Sequence, residues 1–193
     1  MIRAQTSSIV GALMGCMLSI CLPSCTNTQP ANIVSLKQIR PDRACGPRCL
    51  LALMKITGAA RPDCDIKCIY KLIGKEPFTV TSLKDLKDAA QELGFSAIGY
   101  KLTVSDLEKM SGYAILPVGN ATGIANDPLH FILVKQVAKD YVIIINPQTL
   151  KAQAITVSEL QESWNGYALV ISADKGRKKA GENKPKDSGA CCD

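Results

Sequence analysis

The chain has 193 residues and a mass of 20.7 kDa, with 47% hydrophobic and 21% charged residues, which is room for one domain of ordinary size and excludes a large multidomain enzyme. The formal charge of +6 is dispersed: Arg3 is the only charged residue among 1–24, residues 173–193 add +2, and the stretch between keeps +3. With aromatics at 5% and no zinc-finger spacing, RNA-binding aromatic motif or basic helix, the balance points away from nucleic acid.

Residues 1–24 carry one positive charge, a polar stretch to Ser8 and an apolar run from Ile9 to Leu22, the tripartite pattern of a bacterial export signal. The run is too short to span a membrane comfortably. Its end, Leu22-Pro23-Ser24-Cys25, resembles the lipobox of bacterial lipoproteins, with a leucine three before a cysteine, a small residue directly before it, and polar Thr26-Asn27-Thr28 after. The resemblance implies cleavage before Cys25 and acylation of its sulfur, which would leave the chain exported and anchored to a membrane. Plain cleavage with secretion and an uncleaved anchor are the alternatives. The rival box Leu13-Met14-Gly15-Cys16 would leave an apolar region of about six residues, below the usual length. Residues 25–36 read as a linker to a domain over 37–172.

Within that domain, Gly46 through Ile56 places Cys49, Leu50, Leu53 and Met54 at helical spacing, closed by Gly58. A second short helix is predicted from Cys64 to Leu72. A third follows Thr81, with Leu83, Leu86, Ala89, Ala90 and Leu93 on one face and Gly94 ending it. The pattern then turns to β. Ser96–Leu102, Ala114–Val118, Phe131–Val137 and Tyr141–Ile145 are rich in Val and Ile, and Ala138-Lys139-Asp140 between the last two is a hairpin-length connection. A short helix is predicted over Thr103–Met110, another over Val157–Trp164 starting near Ser158, and a closing strand over Gly166–Ser172. Helices first and antiparallel strands afterwards describe an α+β domain with its helices on one side of the sheet. Residues 173–193 hold no large apolar residue, so nothing there repays the entropy of ordering it, and a disordered basic tail is expected. Its Cys191-Cys192 pair has no functional account.

The chemistry starts at Cys45-Gly46-Pro47. A thiol at a helix N-terminus faces unsatisfied amides and the macrodipole, so its pKa is expected to fall from about 8.5 toward the roughly 3.5–7.5 of reactive cysteines. The tripeptide alone fits a buried structural cysteine equally well. His130, the single histidine, stands where a strand emerges from a Gly- and Asn-rich loop, Gly119 to Asp127, and Asn146-Pro147 follows sixteen residues later across the hairpin. A base oriented by an amide or carboxylate is what a cysteine nucleophile requires.

Cys45-Gly46-Pro47-Arg48-Cys49-Leu50, His130-Phe131-Ile132-Leu133-Val134, Asn146-Pro147 and Ser158-Glu159-Leu160 to Trp164-Asn165-Gly166-Tyr167 together resemble the papain-like peptidase domain of bacteriocin-processing ABC transporters, which cleaves leader peptides after a double glycine. The resemblance covers Lys37 to Ser172. It implies a papain-like fold with Cys45 as nucleophile, His130 as general base and Asn146, where the family usually has Asp, orienting the imidazole. It also implies Gln38 as the oxyanion-hole glutamine, although Gln38 lies seven residues before Cys45 and the family's spacing is six. The chain shows no ATP-binding module, and an exported location departs from the family's usual cytoplasmic one, so the resemblance does not carry over a particular substrate.

Cys49 lies one helical turn after Cys45 and reads as a small core residue. An oxidising compartment would let Cys64 or Cys68 bridge to Cys49 or to each other. Zinc is disfavoured, because no two-residue-spaced pair exists and the only histidine is already assigned; no metal or other cofactor is expected. The functional expectation is an exported thiol peptidase acting on a peptide or protein substrate. A peptide-binding module without catalysis and a thioester-forming acyl transferase are the alternatives.

Overall fold

The computed structural model describes residues 32–39, 42–60, 64–119 and 130–172. The export signal with Cys25, most of the Gly119–Asp127 loop and the 173–193 tail lie outside the described residues.

Three helices come first: α1 (Cys45–Ile56), α2 (Ile66–Ile73) and α3 (Leu83–Glu92). Local chemistry sets their ends. The Asp65 carboxylate caps α2 by accepting from the Lys67 and Cys68 N–H groups, and Ser82 with Asp85 forms a capping box on α3. Gly58 and Gly94 take positive φ just past α1 and α3, which is how those helices stop where the sequence predicts. Then follow β1 (Ser96–Lys101), α4 (Val104–Glu108), β2 (Tyr113–Val118), β3 (His130–Val137), β4 (Tyr141–Ile145), β5 (Ala152–Thr156), α5 (Val157–Ser163) and β6 (Tyr167–Ser172). The six strands form one antiparallel sheet in the order β1-β6-β2-β3-β4-β5. The cap of α5 is Thr156, which accepts the Glu159 N–H, rather than Ser158.

The sheet is covered on both faces, which corrects the expectation of helices on one side. Helices α1 to α3 pack with Ala97, Ile115, Phe131, Leu133, Leu169 and Ile171 into one core. On the opposite face Leu116, Ile132, Val134, Val142, Ile144 and Ile155 pack against Leu107 of α4 and Leu160 of α5, both fully buried. The physical reason is visible in β3, where Phe131, Ile132, Leu133 and Val134 are all buried. A continuous apolar run of this kind marks a strand buried on both sides, whereas a half-solvated strand alternates.

Strand β5, which the sequence reading missed, anchors the segment that leads to the site. Ile33 bridges Ala154, the Val34 N–H donates to Ala154 O at 2.8 Å and Ala154 N–H donates to Asn32 O at 2.9 Å. The Glu159 carboxylate then accepts from Ser35 Oγ at 2.5 Å and from the Leu36 N–H at 2.7 Å. These contacts hold the short 3-10 turn Leu36–Gln38 beside the N-terminus of α1. No helix among the described residues is long and apolar enough to cross a membrane.

Candidate active site

Cys45 is the first residue of α1, and the close approach of that helix to β3 places its sulfur. Gly46 permits the approach: a Cβ there would sit 2.8 Å from Thr81 Oγ1 and 3.0 Å from both Leu86 Cδ1 and Phe131 Cδ2. Pro47, in the first turn, lacks the N–H that the helix would leave unsatisfied. As a result the Phe131 N–H donates to Cys45 Sγ at 3.3 Å, and Cys49, one turn along, donates its S–H to Phe131 O at 3.5 Å. Two thiols of one helix thus grip the two polar groups of a single residue on β3.

That grip is possible because β4 ends at Ile145, opposite Leu133, so His130 and Phe131 run past the end of the β4 ladder. Beyond it opens a cavity of about 420 Å³ whose wall includes Gln38, Asp42, Cys45, Arg48, His130 and Asn146. The structure therefore brings together all four residues expected at the site. On the other side of Gly46 lies a more apolar groove of about 390 Å³, bordered by Thr81, Pro117, Phe131 and Tyr167.

Proximity does not extend to every hydrogen bond the resemblance implies. The Asn146 Oδ1 accepts the N–H groups of Gln148 and Thr149, at 2.9 and 3.1 Å, and its Nδ2 donates to Gln153 Oε1 at 3.5 Å. The carboxamide closes the β4–β5 turn, and no hydrogen bond links it to the imidazole. His130 Nδ1 and Thr81 Oγ1 are buried side-chain atoms that lack a hydrogen-bond partner among the described residues. Leaving such an atom unpaired costs about 1–3 kcal/mol, a cost that recurs at functional sites. Gln38 is exposed; its Oε1 accepts the Ser35 N–H at 3.5 Å, within its own turn.

The electrostatics also depart from expectation. Burial pushes the Cys45 thiol up, although the N–H groups of Phe131 and Gly46 pull it down, and the nearby Asp42 charge adds to the rise. Burial likewise pushes the His130 imidazole down, with Asp42 opposing. The low thiol pKa expected from the helix terminus is thus corrected: burial outweighs the helix terminus and shifts the thiol up and the imidazole down, each toward its neutral form. Cys49 is fully buried and its thiol is raised far above the usual range. No disulfide joins Cys45, Cys49, Cys64 or Cys68, so the bridge that an oxidising compartment would allow among the last three is not made.

Sequence reasoning missed Asp42 and Arg48. The Asp42 Oδ2 accepts from Arg48 Nε at 2.8 Å and its Oδ1 from the Ala44 N–H at 3.0 Å, while the Asp42 carbonyl accepts the Cys45 N–H at 2.9 Å. The available signal was an aspartate two residues before an uncapped Ala44 and an arginine one turn into the helix.

Helices leading an antiparallel sheet, with a cysteine heading the first helix and a histidine on the strand it packs against, define a papain-like fold. The chain belongs to the peptidase C39 family, whose model matches residues 36–176. Its fold is similar to that of the peptidase domain of Streptococcus ComA, a bifunctional ABC transporter of a quorum-sensing pathway, at 23% identity and a TM-score of 0.54 over 67% of this chain and 91% of that one. It is similar also to a double glycine motif protease from an AMS/PCAT transporter, solved in complex with the leader peptide, at 20% identity and a TM-score of 0.52 over 75% of this chain and 94% of that one. A comparison with curated protein sequences finds no match.

Proposed function

We propose that the protein is an exported cysteine peptidase that attacks a peptide carbonyl with Cys45, using His130 as general base, and releases the acyl group from the resulting thioester by water. The observation that carries this reading is the placement of Cys45 Sγ, at the head of α1 and 3.3 Å from the Phe131 N–H, in one cavity wall with His130. Burial shifts both groups toward their neutral forms, so in this reading the imidazole takes the thiol proton as sulfur attacks. Asn146 is the third member, its Oδ1 leaving the turn amides to accept the imidazole N–H, and Gln38, which lines the same cavity, supplies an oxyanion donor through its Nε2. Support for a peptide substrate comes from the family and from the leader-peptide complex of the similar double glycine motif protease, so a peptide carrying Gly-Gly before the scissile bond is the first substrate to try. Cleavage of such a peptide by the full chain should disappear in Cys45→Ala; cleavage that persists would remove Cys45 from the mechanism.

The same reading places the enzyme on a membrane through acylated Cys25. Cys25→Ser should abolish the lipid mass and release the protein from the membrane fraction, and unchanged fractionation without lipid would refute the anchor. A peptide-binding module without catalysis is the second reading, favoured by the engagement of the Cys45 N–H with the Asp42 carbonyl.

A further inference from the structure

We infer that Asp42 and Arg48 are positioning residues that set how much of the Cys45 N–H is available to an oxyanion. The inference rests on the peptidase reading, in which that N–H is one donor of the hole. An N–H carries a single hydrogen, and here it points at the Asp42 carbonyl over 2.9 Å. Asp42 is held there at two further points, by Arg48 Nε at 2.8 Å and by the Ala44 N–H at 3.0 Å. A substrate oxyanion must therefore compete with a protein carbonyl for its donor. The competitor is fixed by an ion pair that stands at the rim of the catalytic cavity, with 34% of the Arg48 side chain and 37% of the Asp42 side chain exposed.

The exposure makes the arrangement adjustable. An ion pair this accessible is weak and screened by salt, so ionic strength, or a charged group on an arriving peptide that engages either partner, loosens the hold on the Asp42 carbonyl. The backbone turn from Asp42 to Cys45 then competes less strongly with the oxyanion. One donor of an oxyanion hole is worth on the order of a hundred- to a thousand-fold in rate, so even partial release is measurable.

The test compares the parent chain with Arg48→Met, which removes one of the two side-chain contacts, and Asp42→Ala, which removes both. The probe is N-acetyl-glycyl-glycinal. Its aldehyde carbon forms a bond to Cys45 Sγ, the C=O π pair moves onto oxygen, and the thiol proton passes by way of His130 to that oxygen, giving a hemithioacetal in the hole. Iodoacetamide alkylation of Cys45 serves as the second readout, because displacement of iodide creates no oxyanion. Aldehyde affinity should rise about two- to fivefold in Arg48→Met, the range that an exposed ion pair can hold, and further in Asp42→Ala. Alkylation should not accelerate in Arg48→Met, where the Asp42 charge that raises the thiol is left uncompensated. In the parent, raising the salt should tighten the aldehyde, and in Arg48→Met it should not. Equal or weaker aldehyde binding in both variants would overturn the inference, as would a rise in alkylation of Arg48→Met matching its rise in affinity; in Asp42→Ala alkylation should rise on its own account, because the charge that raises the thiol is gone. Alkylation of Cys45 without hemithioacetal in any of the three proteins would overturn the peptidase reading itself.

Discussion

Gly46→Ala tests whether the contact between α1 and β3 builds the site. The backbone of Gly46 is helical, and helix propensity alone would favour alanine by about 1 kcal/mol. Packing opposes it. The new Cβ would lie 2.8 Å from Thr81 Oγ1, 3.0 Å from Leu86 Cδ1 and 3.0 Å from Phe131 Cδ2, and these residues are 5%, 0% and 5% exposed. Thr81 Oγ1 has no hydrogen bond to lose and can turn away, but Leu86 and Phe131 belong to the core beneath α1 and must move together. Overpacking costs about 1–3 kcal/mol, and because two buried core side chains must yield here the upper part of that range applies, about 2–3 kcal/mol, which leaves a net loss of about 1–2 kcal/mol after the propensity gain. For a domain of this size that lowers Tm by roughly 2–8 °C. Displacing Phe131 also lengthens the 3.3 Å contact from its N–H to Cys45 Sγ, one of the groups holding the thiol pKa down, so alkylation of Cys45 at neutral pH should slow. Thermal melting and the iodoacetamide rate measure both effects, and adding Phe131→Leu, which removes the ring wall, should recover part of each. A Gly46→Ala protein that melts at or above the parent with unchanged alkylation would refute the packing argument.

Stability should peak between the unfolded-state pKa values of histidine, about 6.5, and cysteine, about 8.5. The lowered His130 favours its neutral form in the fold and is less able to take a proton than the unfolded chain, so stability falls with pH on the acid side; the raised Cys45 retains a proton that the unfolded chain gives up, so stability falls again on the alkaline side. His130→Asn should flatten the first limb, Cys45→Ala should remove part of the second, and Cys49→Ala, which deletes the more deeply buried thiol, should remove more of it in melting curves against pH; limbs unchanged by all three would sink the assignment. Asn146→Asp supplies two oxygens, one for the turn amides and one for the imidazole, so the fold should hold while the acid limb of kcat/KM, set by the need for a neutral His130, moves upward; an unmoved profile would confine Asn146 to the turn. Cys49→Ala should leave iodoacetamide labelling at Cys45 in place and cost about 1 kcal/mol through the lost bond to Phe131 O, and loss of labelling would instead make Cys49 the reactive thiol.

Element order was legible because the signals were local. Helix stops at Gly58 and Gly94 and the β-branched runs of β2 to β4 needed no tertiary information. The same runs brought Cys45, His130 and Asn146 to attention, and the structure places them in one wall. Strand β5 escaped because Ala152-Gln153-Ala154-Ile155-Thr156 has small residues where a strand of this length usually shows branched ones, and its pairing with β4 and Ile33 is long-range. Coverage of both sheet faces escaped because the helices-first order was read as one covered face, whereas β3 is buried on both. The clamp of Asp42 by Arg48 depends on the side-chain geometry of a turn, which spacing alone does not reveal.

The thiol pKa shows most directly why part of the site could not be read from the chain. A helix N-terminus favours a neighbouring anion by about 0.3–1 kcal/mol, less than the 1.36 kcal/mol of a single pKa unit. Burial works against the anion, and for groups well out of water it reaches several units, so the sign of the shift depends on how deeply the helix start is packed. That depth comes from Gly46, Thr81, Leu86 and Phe131, four residues drawn from three elements and the loop before α3, and no sequence window contains them all. The same packing that seats Cys45 against the Phe131 N–H therefore also raises its pKa. On the peptidase reading, full reactivity arises when a carbonyl, a base and an oxyanion donor meet at the sulfur together, which suits a buried thiol that reacts slowly with other electrophiles until its substrate fills the cavity.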